Sequence, residues 1–154
     1  MKITLVYATY SNSTALAGEH LASLLKTAGH TVELLTANEA TAEALQQPDL
    51  LILASPSWDY SGEQGMPHED FTDLQLRLGN TFTLSGKPTA IMALGDSSFT
   101  YFCGAATHLT QWLTEKGVKE VLPPLKIDQY YANEQAAQQQ IADWCKSLLS
   151  TATK

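Results

Sequence analysis

Only two of the 154 residues are cysteine, Cys103 and Cys145, and they lie far apart with no CxxC pair. A disulfide framework is thereby excluded, and reduced thiols in a cytoplasmic protein are the plain expectation. Basic residues are scarce too. Nine Lys and Arg stand against sixteen Asp and Glu, a formal charge of −7, with a pI near 4.9. Nucleic acid is excluded as a partner, because binding phosphates needs clustered Lys and Arg. Anionic membrane surfaces are disfavoured by the same sign. No segment approaches the roughly 20 apolar residues that span a bilayer. The run Met1–Ala8 lacks the long apolar core and small-residue cleavage site of a signal peptide. Repeats, low-complexity stretches and linkers are missing as well, and the four histidines have no metal-ligand spacing.

What is there is a chain 44% hydrophobic and only 16% charged. That is the balance of one compact domain over residues 1–154. Strands are expected at Ile3–Tyr7, Thr31–Leu35, Leu50–Ala54 and Pro88–Leu94, and a fifth starts at Val118–Leu122, its pairing interrupted or ended by Pro123-Pro124. Helices are expected over about Thr14–Ala28, with Gly29 as the stop, Glu69–Leu78, Gly104 to before Gly117, and from Asn133 onward. Residues 55–68 read as a loop, punctuated by Pro56, Gly62, Gly65 and Pro67. Trp112 and Trp144 read as core. Five strands alternating with helices imply an α/β fold, a doubly wound five-stranded parallel sheet with helices on both faces. Ligands in such folds sit at the carboxyl ends of the strands, which points to loops 8–14, 55–68 and 95–103.

The first loop, Thr9-Tyr10-Ser11-Asn12-Ser13-Thr14, gathers four hydroxyl side chains of Ser and Thr and one amide at a helix start. Unpaired N–H groups and the helix dipole favour an anion there. The lysine and the GxxxxGK[ST] pattern of a nucleoside-triphosphate loop are absent, so one phosphate monoester suits it better. The second, Ser55-Pro56-Ser57-Trp58-Asp59-Tyr60, brings Trp58 and Tyr60 to the ligand edge, where aromatics can hold a flat ring. The third, Leu94-Gly95-Asp96-Ser97-Ser98-Phe99-Thr100-Tyr101-Phe102-Cys103-Gly104, packs three aromatics behind a Gly-Asp break. Phe102 and Cys103 can equally be core residues.

These three segments, in this order and spacing, resemble the flavodoxin family. Residues 95–105 look like its isoalloxazine loop, Thr9–Thr14 its FMN-phosphate loop, and Ser57-Trp58 the loop that stacks Trp on the flavin. The resemblance covers essentially the whole chain, and the length suits the short-chain type. It implies a strand order of 2-1-3-4-5 and a noncovalent FMN. It also implies a monomeric, low-potential one-electron carrier rather than an enzyme, shuttling between a reductase and an acceptor that dock near the flavin edge. Thr9, Ser11, Ser13 and Thr14, with the main chain of Tyr10 and Asn12, are implied to hold the phosphate, and Pro56 and Ser57 the ribityl chain. Trp58 and Phe99 are implied to cover the ring, with Asp59 and Tyr60 alongside. Gly95, Asp96 and Cys103 are implied near its pyrimidine edge, with Leu94, Tyr101 and Phe102 also among the cofactor-binding residues. Asn12 and Asp59 stand where the family usually has Gly, and Phe99 where Tyr is usual. An FMN oxidoreductase of the quinone-reductase kind is the alternative on this fold. A response-regulator receiver is excluded, because Ala8-Thr9 and Ser55 stand where its acidic residues belong.

Overall fold

Side chains alternate in direction along a strand, so a strand apolar at every position must be covered on both faces. Leu50–Ala54 is such a strand, and the computed structural model, which describes residues 1–60 and 63–152, covers it twice. Leu51 and Leu53 join one core with Val6, Ile91, Phe71, Leu109 and Trp112. Leu50 and Ile52 join the opposite core with Ile3, Leu5, Met92, Leu21, Ile141 and Trp144. Each fully buried Leu or Ile contributes about 1.5–3 kcal/mol, so the alternation along Lys2–Tyr7, Leu50–Ala54 and Pro88–Gly95 fixes which helix lies on which face.

The elements run β1 (Lys2–Tyr7), α1 (Ser13–Thr27), β2 (Thr31–Thr36), α2 (Ala42–Gln46), β3 (Leu50–Tyr60), β4 (Glu63–Pro67), α3 (Glu69–Leu78), β5 (Pro88–Gly95), α4 (Gly104–Glu115), β6 (Lys119–Glu120), β7 (Leu125–Asp128) and α5 (Glu134–Ala152). Helices α1 and α5 cover one face, α3 and α4 the other. The sheet order is β2-β1-β3-β5-β6, with β7 also on β5 and β4 on β3. With β4 set aside, that is the expected 2-1-3-4-5 order. The registers Tyr7↔Ala54, Pro56↔Leu94 and Gly95↔Asp128 bring the ends of β1, β3, β5 and β7 to one edge.

Three expectations are corrected. Most of residues 55–68 is strand rather than the expected loop, while Ser61 and Gly62 lie outside the described residues: β3 continues to Tyr60 and pairs antiparallel with β4, Ser57 opposite Pro67 and Trp58 opposite Met66. The prolines that suggested a loop sit at the ends of the paired segment, and Gly65 takes a positive φ of 65° within the irregular register. Proline is tolerated at such margins, and glycine commonly marks a bulge. The fifth strand is interrupted at Pro123-Pro124, one of the two outcomes expected there, but its first stretch is only Lys119-Glu120 rather than Val118–Leu122. It is two pieces on the same edge of β5, β6 on Pro88-Thr89 and β7 on Met92–Gly95, interrupted by Pro123-Pro124, which have no N–H to donate. Finally, α2 is a single turn that the apolar pattern did not announce. Its start is chemical: the Thr41 hydroxyl accepts the Ala44 N–H at 3.1 Å.

Candidate functional site

At the end of β1 the chain turns into α1 through Asn12, which adopts φ 70° in the left-handed region. Asn tolerates that geometry better than most residues, which is how it serves where glycine is usual. The first helical bond runs from the Leu16 N–H to the Asn12 carbonyl at 3.0 Å. Among the described residues, the N–H groups of Asn12, Ser13, Thr14 and Ala15 meet no acceptor. Two hydroxyls there are orphaned as well. Thr14 is 0% exposed, and neither its Oγ1 nor the buried Oγ1 of Thr9 has a partner among the described residues. Leaving a buried hydroxyl unpaired costs about 1–3 kcal/mol, so this turn is built for something that accepts hydrogen bonds. An anion fits it, with donors from main chain and hydroxyls and the positive end of the α1 dipole behind them.

From this turn a cleft of about 560 Å³ runs along the sheet edge. Ser11 and Ser13 close one end, Pro56, Ser57, Trp58, Asp59, Gln64 and Gly65 form one wall, and Leu94, Gly95, Asp96, Phe99, Thr100, Tyr101, Cys103 and Tyr130 form the rest. Trp58 and Phe99 are 48% and 65% exposed, both at the cleft, where an apolar ring could be held. Trp58 is steadied from outside by Tyr10, whose ring meets it edge-on at 5.1 Å and stacks on His68 at 3.9 Å. His68 in turn caps α3 by accepting the Asp70 N–H at Nδ1.

The β3–β4 hairpin is fastened to the third loop. Ser57 Oγ accepts the Ala105 N–H at 3.0 Å, and Asp59 Oδ1 accepts the Gly65 N–H at 2.9 Å. Gly65 and Gly104 lie against each other: a Cβ on Gly104 would stand 2.5 Å from the Gly65 carbonyl oxygen, and one on Gly65 2.7 Å from Tyr101 Cβ. On the far side, Asp96 Oδ1 accepts the Ser98 N–H and hydroxyl and the Gln129 side-chain amide. The Ser98 bonds, chiefly, hold the Asp96 carboxyl below its ordinary range.

A profile of the Flavodoxin family matches residues 5–144. The chain belongs to the flavodoxin family. It is 32% identical over 127 residues to the flavodoxin of Nitratidesulfovibrio vulgaris, covering 82% of this chain and 84% of that one. The oxidised flavodoxin 2 of Bacillus cereus superposes with a TM-score of 0.82 at 29% identity, over 97% of this chain and 99% of the other. The chain is also 30% identical to part of the sulfite reductase flavoprotein alpha-component of Shewanella oneidensis, over 92% of its own length but 23% of that protein's. Flavodoxins are FMN-binding electron carriers, not enzymes.

Among the residues expected of a flavodoxin site, Ser11, Ser13, Pro56, Ser57, Trp58, Asp59, Leu94, Gly95, Asp96, Phe99, Tyr101 and Cys103 converge on the cleft. Thr9, Tyr10, Asn12 and Thr14 do not line it, and stand at the α1 turn or, for Tyr10, outside Trp58. Phe102 is turned away, half-buried against the core that holds Leu109 and Trp112. The side chain of Tyr60 lies outside the described residues. Gln64, Gly65, Thr100 and Tyr130 were not expected. The turn signal at Gln129, positive φ 46° in a non-glycine residue, is visible only in the backbone.

Cys103 opens α4 from the left-handed region at φ 50°, with Sγ 3.5 Å from the Ala93 carbonyl oxygen. Burial pushes its thiol up to about 12, leaving almost no thiolate at neutral pH. Iodoacetamide is therefore expected to label folded Cys103 more than about a hundredfold slower than a free cysteine. Peptide mass spectrometry over a time course checks this, and labelling at the free-thiol rate would contradict the burial.

Proposed function

We propose that this chain, acting as one domain and as a cytoplasmic monomer, binds FMN noncovalently and carries electrons singly, at low potential, between a reductase and an acceptor protein. The observation that carries the reading is the pairing of two unlike ends in one cleft. The α1 turn, with the orphaned Thr9 and Thr14 hydroxyls, adjoins the end that Ser11 and Ser13 line, and exposed aromatics beside a Gly-Asp turn lie at the other. Thr9, Ser11, Ser13 and Thr14, with the main chain of Tyr10 and Asn12, hold the phosphate. Pro56 and Ser57 lie along the ribityl chain. Trp58 and Phe99 exclude water from the ring, while Asp59, Leu94, Gly95, Asp96, Tyr101 and Cys103 bound its polar side. FMN supplies the one-electron chemistry, and the protein sets its potentials. Among the described residues, the cleft lining holds two carboxylates, Asp59 and Asp96, and no Lys or Arg. Added negative charge is therefore opposed there, which makes the reduced carrier strongly reducing.

The test is direct. Recombinant full-length chain should be yellow, and the flavin released from it should chromatograph as FMN. A colourless product that takes up no added FMN would overturn the proposal. Rapid bleaching by NAD(P)H with no reductase present would favour the oxidoreductase alternative.

Partners should dock where the cleft opens. Asp59 and Glu69 are exposed nearby, Asp70 and Asp96 half-exposed, and the chain carries −7 overall. Electron transfer to a basic partner should slow by about tenfold or more between low and physiological salt, because opposite charges steer the encounter and ions screen them. Stopped-flow rates that stay flat with ionic strength would count against this docking mode.

A further inference from the structure

The segment joining β7 to α5 ties the first loop to the third, and the sequence patterns did not mark it. Its base is firmly held. Asp128 accepts the Ser97 N–H at 2.8 Å and the Ser97 hydroxyl at 2.6 Å. The Gln129 N–H donates to the Gly95 carbonyl at 2.8 Å, and its side-chain amide reaches Asp96. The N–H groups of Ala132 and Asn133 close a turn on the Gln129 carbonyl. Tyr130 is buried in the cleft wall, and Tyr131 meets its ring edge-on at 5.8 Å. From this base the Tyr131 hydroxyl reaches out and donates to the carbonyl oxygen of Ser11.

That bond acts on more than Ser11. A trans peptide is planar, and its C=O and N–H point in opposite directions. Pinning the Ser11 carbonyl toward Tyr131 therefore turns the Asn12 N–H away from it, and that N–H meets no acceptor among the described residues. Asn12 stands at φ 70°, a conformation asparagine tolerates at some cost, and the Tyr131 bond helps to hold it. We infer that Tyr131 is a positioning residue for the phosphate end of the cleft: its hydroxyl fixes the Ser11–Asn12 peptide so that the loop presents its main-chain donors to an anion. The inference rests on the FMN reading and adds a residue outside the cleft lining.

A positioning role for the phosphate end predicts discrimination between two ligands that differ only there. Tyr131→Phe keeps the ring contact with Tyr130 and removes one hydroxyl from a residue that is 55% exposed. The dissociation constant for FMN should rise roughly fivefold, the size expected for one neutral hydrogen bond, while that for riboflavin stays unchanged. Fluorescence titration of the full-length chain stripped of flavin measures both, and amide exchange at Asn12 in the FMN-loaded chain, compared between wild type and variant, gives a second reading. Faster exchange at Asn12 with a selective loss of FMN supports the inference. Equal losses for FMN and riboflavin, or no loss for either, overturn it. A wild-type chain that binds neither flavin would instead overturn the FMN reading itself.

Discussion

Thr14→Val should stabilise the flavin-free chain and weaken FMN in the same stroke. The two effects come from one atom. Thr14 is fully buried in α1 and its hydroxyl has no partner among the described residues, so the cofactor-free fold bears the desolvation penalty of about 1–3 kcal/mol. Valine has nearly the same shape and lacks that oxygen, while its lower helix propensity costs only tenths of a kcal/mol. At about 2–4 °C per kcal/mol for a chain of this size, the thermal midpoint without flavin should rise by several degrees. A hydroxyl hydrogen-bonded to a charged phosphate contributes about 1.5–3 kcal/mol, so the FMN dissociation constant should rise between about tenfold and a hundredfold. Riboflavin should bind as before, and adding Ser11→Ala should extend the loss for FMN alone. Calorimetry with parallel titrations tests all of this. A midpoint that falls, or equal losses for FMN and riboflavin, would mean that the Thr14 hydroxyl is satisfied in some other way.

Gly104→Ala should damage the opposite end. The new methyl would stand 2.5 Å from the Gly65 carbonyl oxygen and 2.9 Å from its Cα, contacts with backbone that no side-chain rotation relieves. The hairpin must retreat from α4, straining the bond from Ala105 N–H to Ser57 Oγ and shifting the wall that carries Trp58. Overpacking of this kind costs about 1–3 kcal/mol of stability. Because the displaced wall serves the ring, FMN and riboflavin should lose affinity together, by about tenfold or more for each 1.4 kcal/mol withheld. Ser11 and Asn12 lie outside the displaced contact, so the ratio of the two affinities should stay near its wild-type value. A change in that ratio, or undiminished binding of both flavins, would mean that the contact between Gly65 and Gly104 does not set the wall.

Much of this architecture was legible in the residues. The apolar stretches Ile3–Tyr7, Leu50–Ala54 and Pro88–Leu94 announced the central strands because burial on both faces leaves no polar position to confuse the pattern. Helix α3 was delimited at Glu69 and Leu78 by its apolar spacing. The hydroxyl-rich turn and the Gly-Asp break stood out for the same chemical reason that makes them ligand loops. What stayed hidden depends on distant pairing. The hairpin over Ser57–Pro67 is held by antiparallel bonds, the Asp59 carboxylate and the Gly65–Gly104 contact, none of which leaves a periodicity. β7 resumes behind two prolines because β5 still offers an edge there. Tyr130 reaches the cleft, and Tyr131 the first loop, only because Gln129 and Asp128 are anchored to Gly95 and Ser97, which lie more than 30 residues earlier in the chain.

The broken strand at that edge has a further consequence, for how copies of the chain meet one another. An open sheet margin is a template on which a second copy can add a strand, the first step toward aggregation. Here the margin beyond β5 consists of two residues of β6 and four of β7, separated by Pro123-Pro124. A strand approaching from outside finds no continuous row of N–H donors to match. The Pro123 carbonyl is already engaged by the Trp144 indole N–H at 3.3 Å, and Lys119, Glu120 and Lys126 are exposed along the same stretch. A carrier that must collide briefly with its partners and let go is poorly served by a sticky flank, and the proline pair denies an incoming strand an unbroken row of partners here.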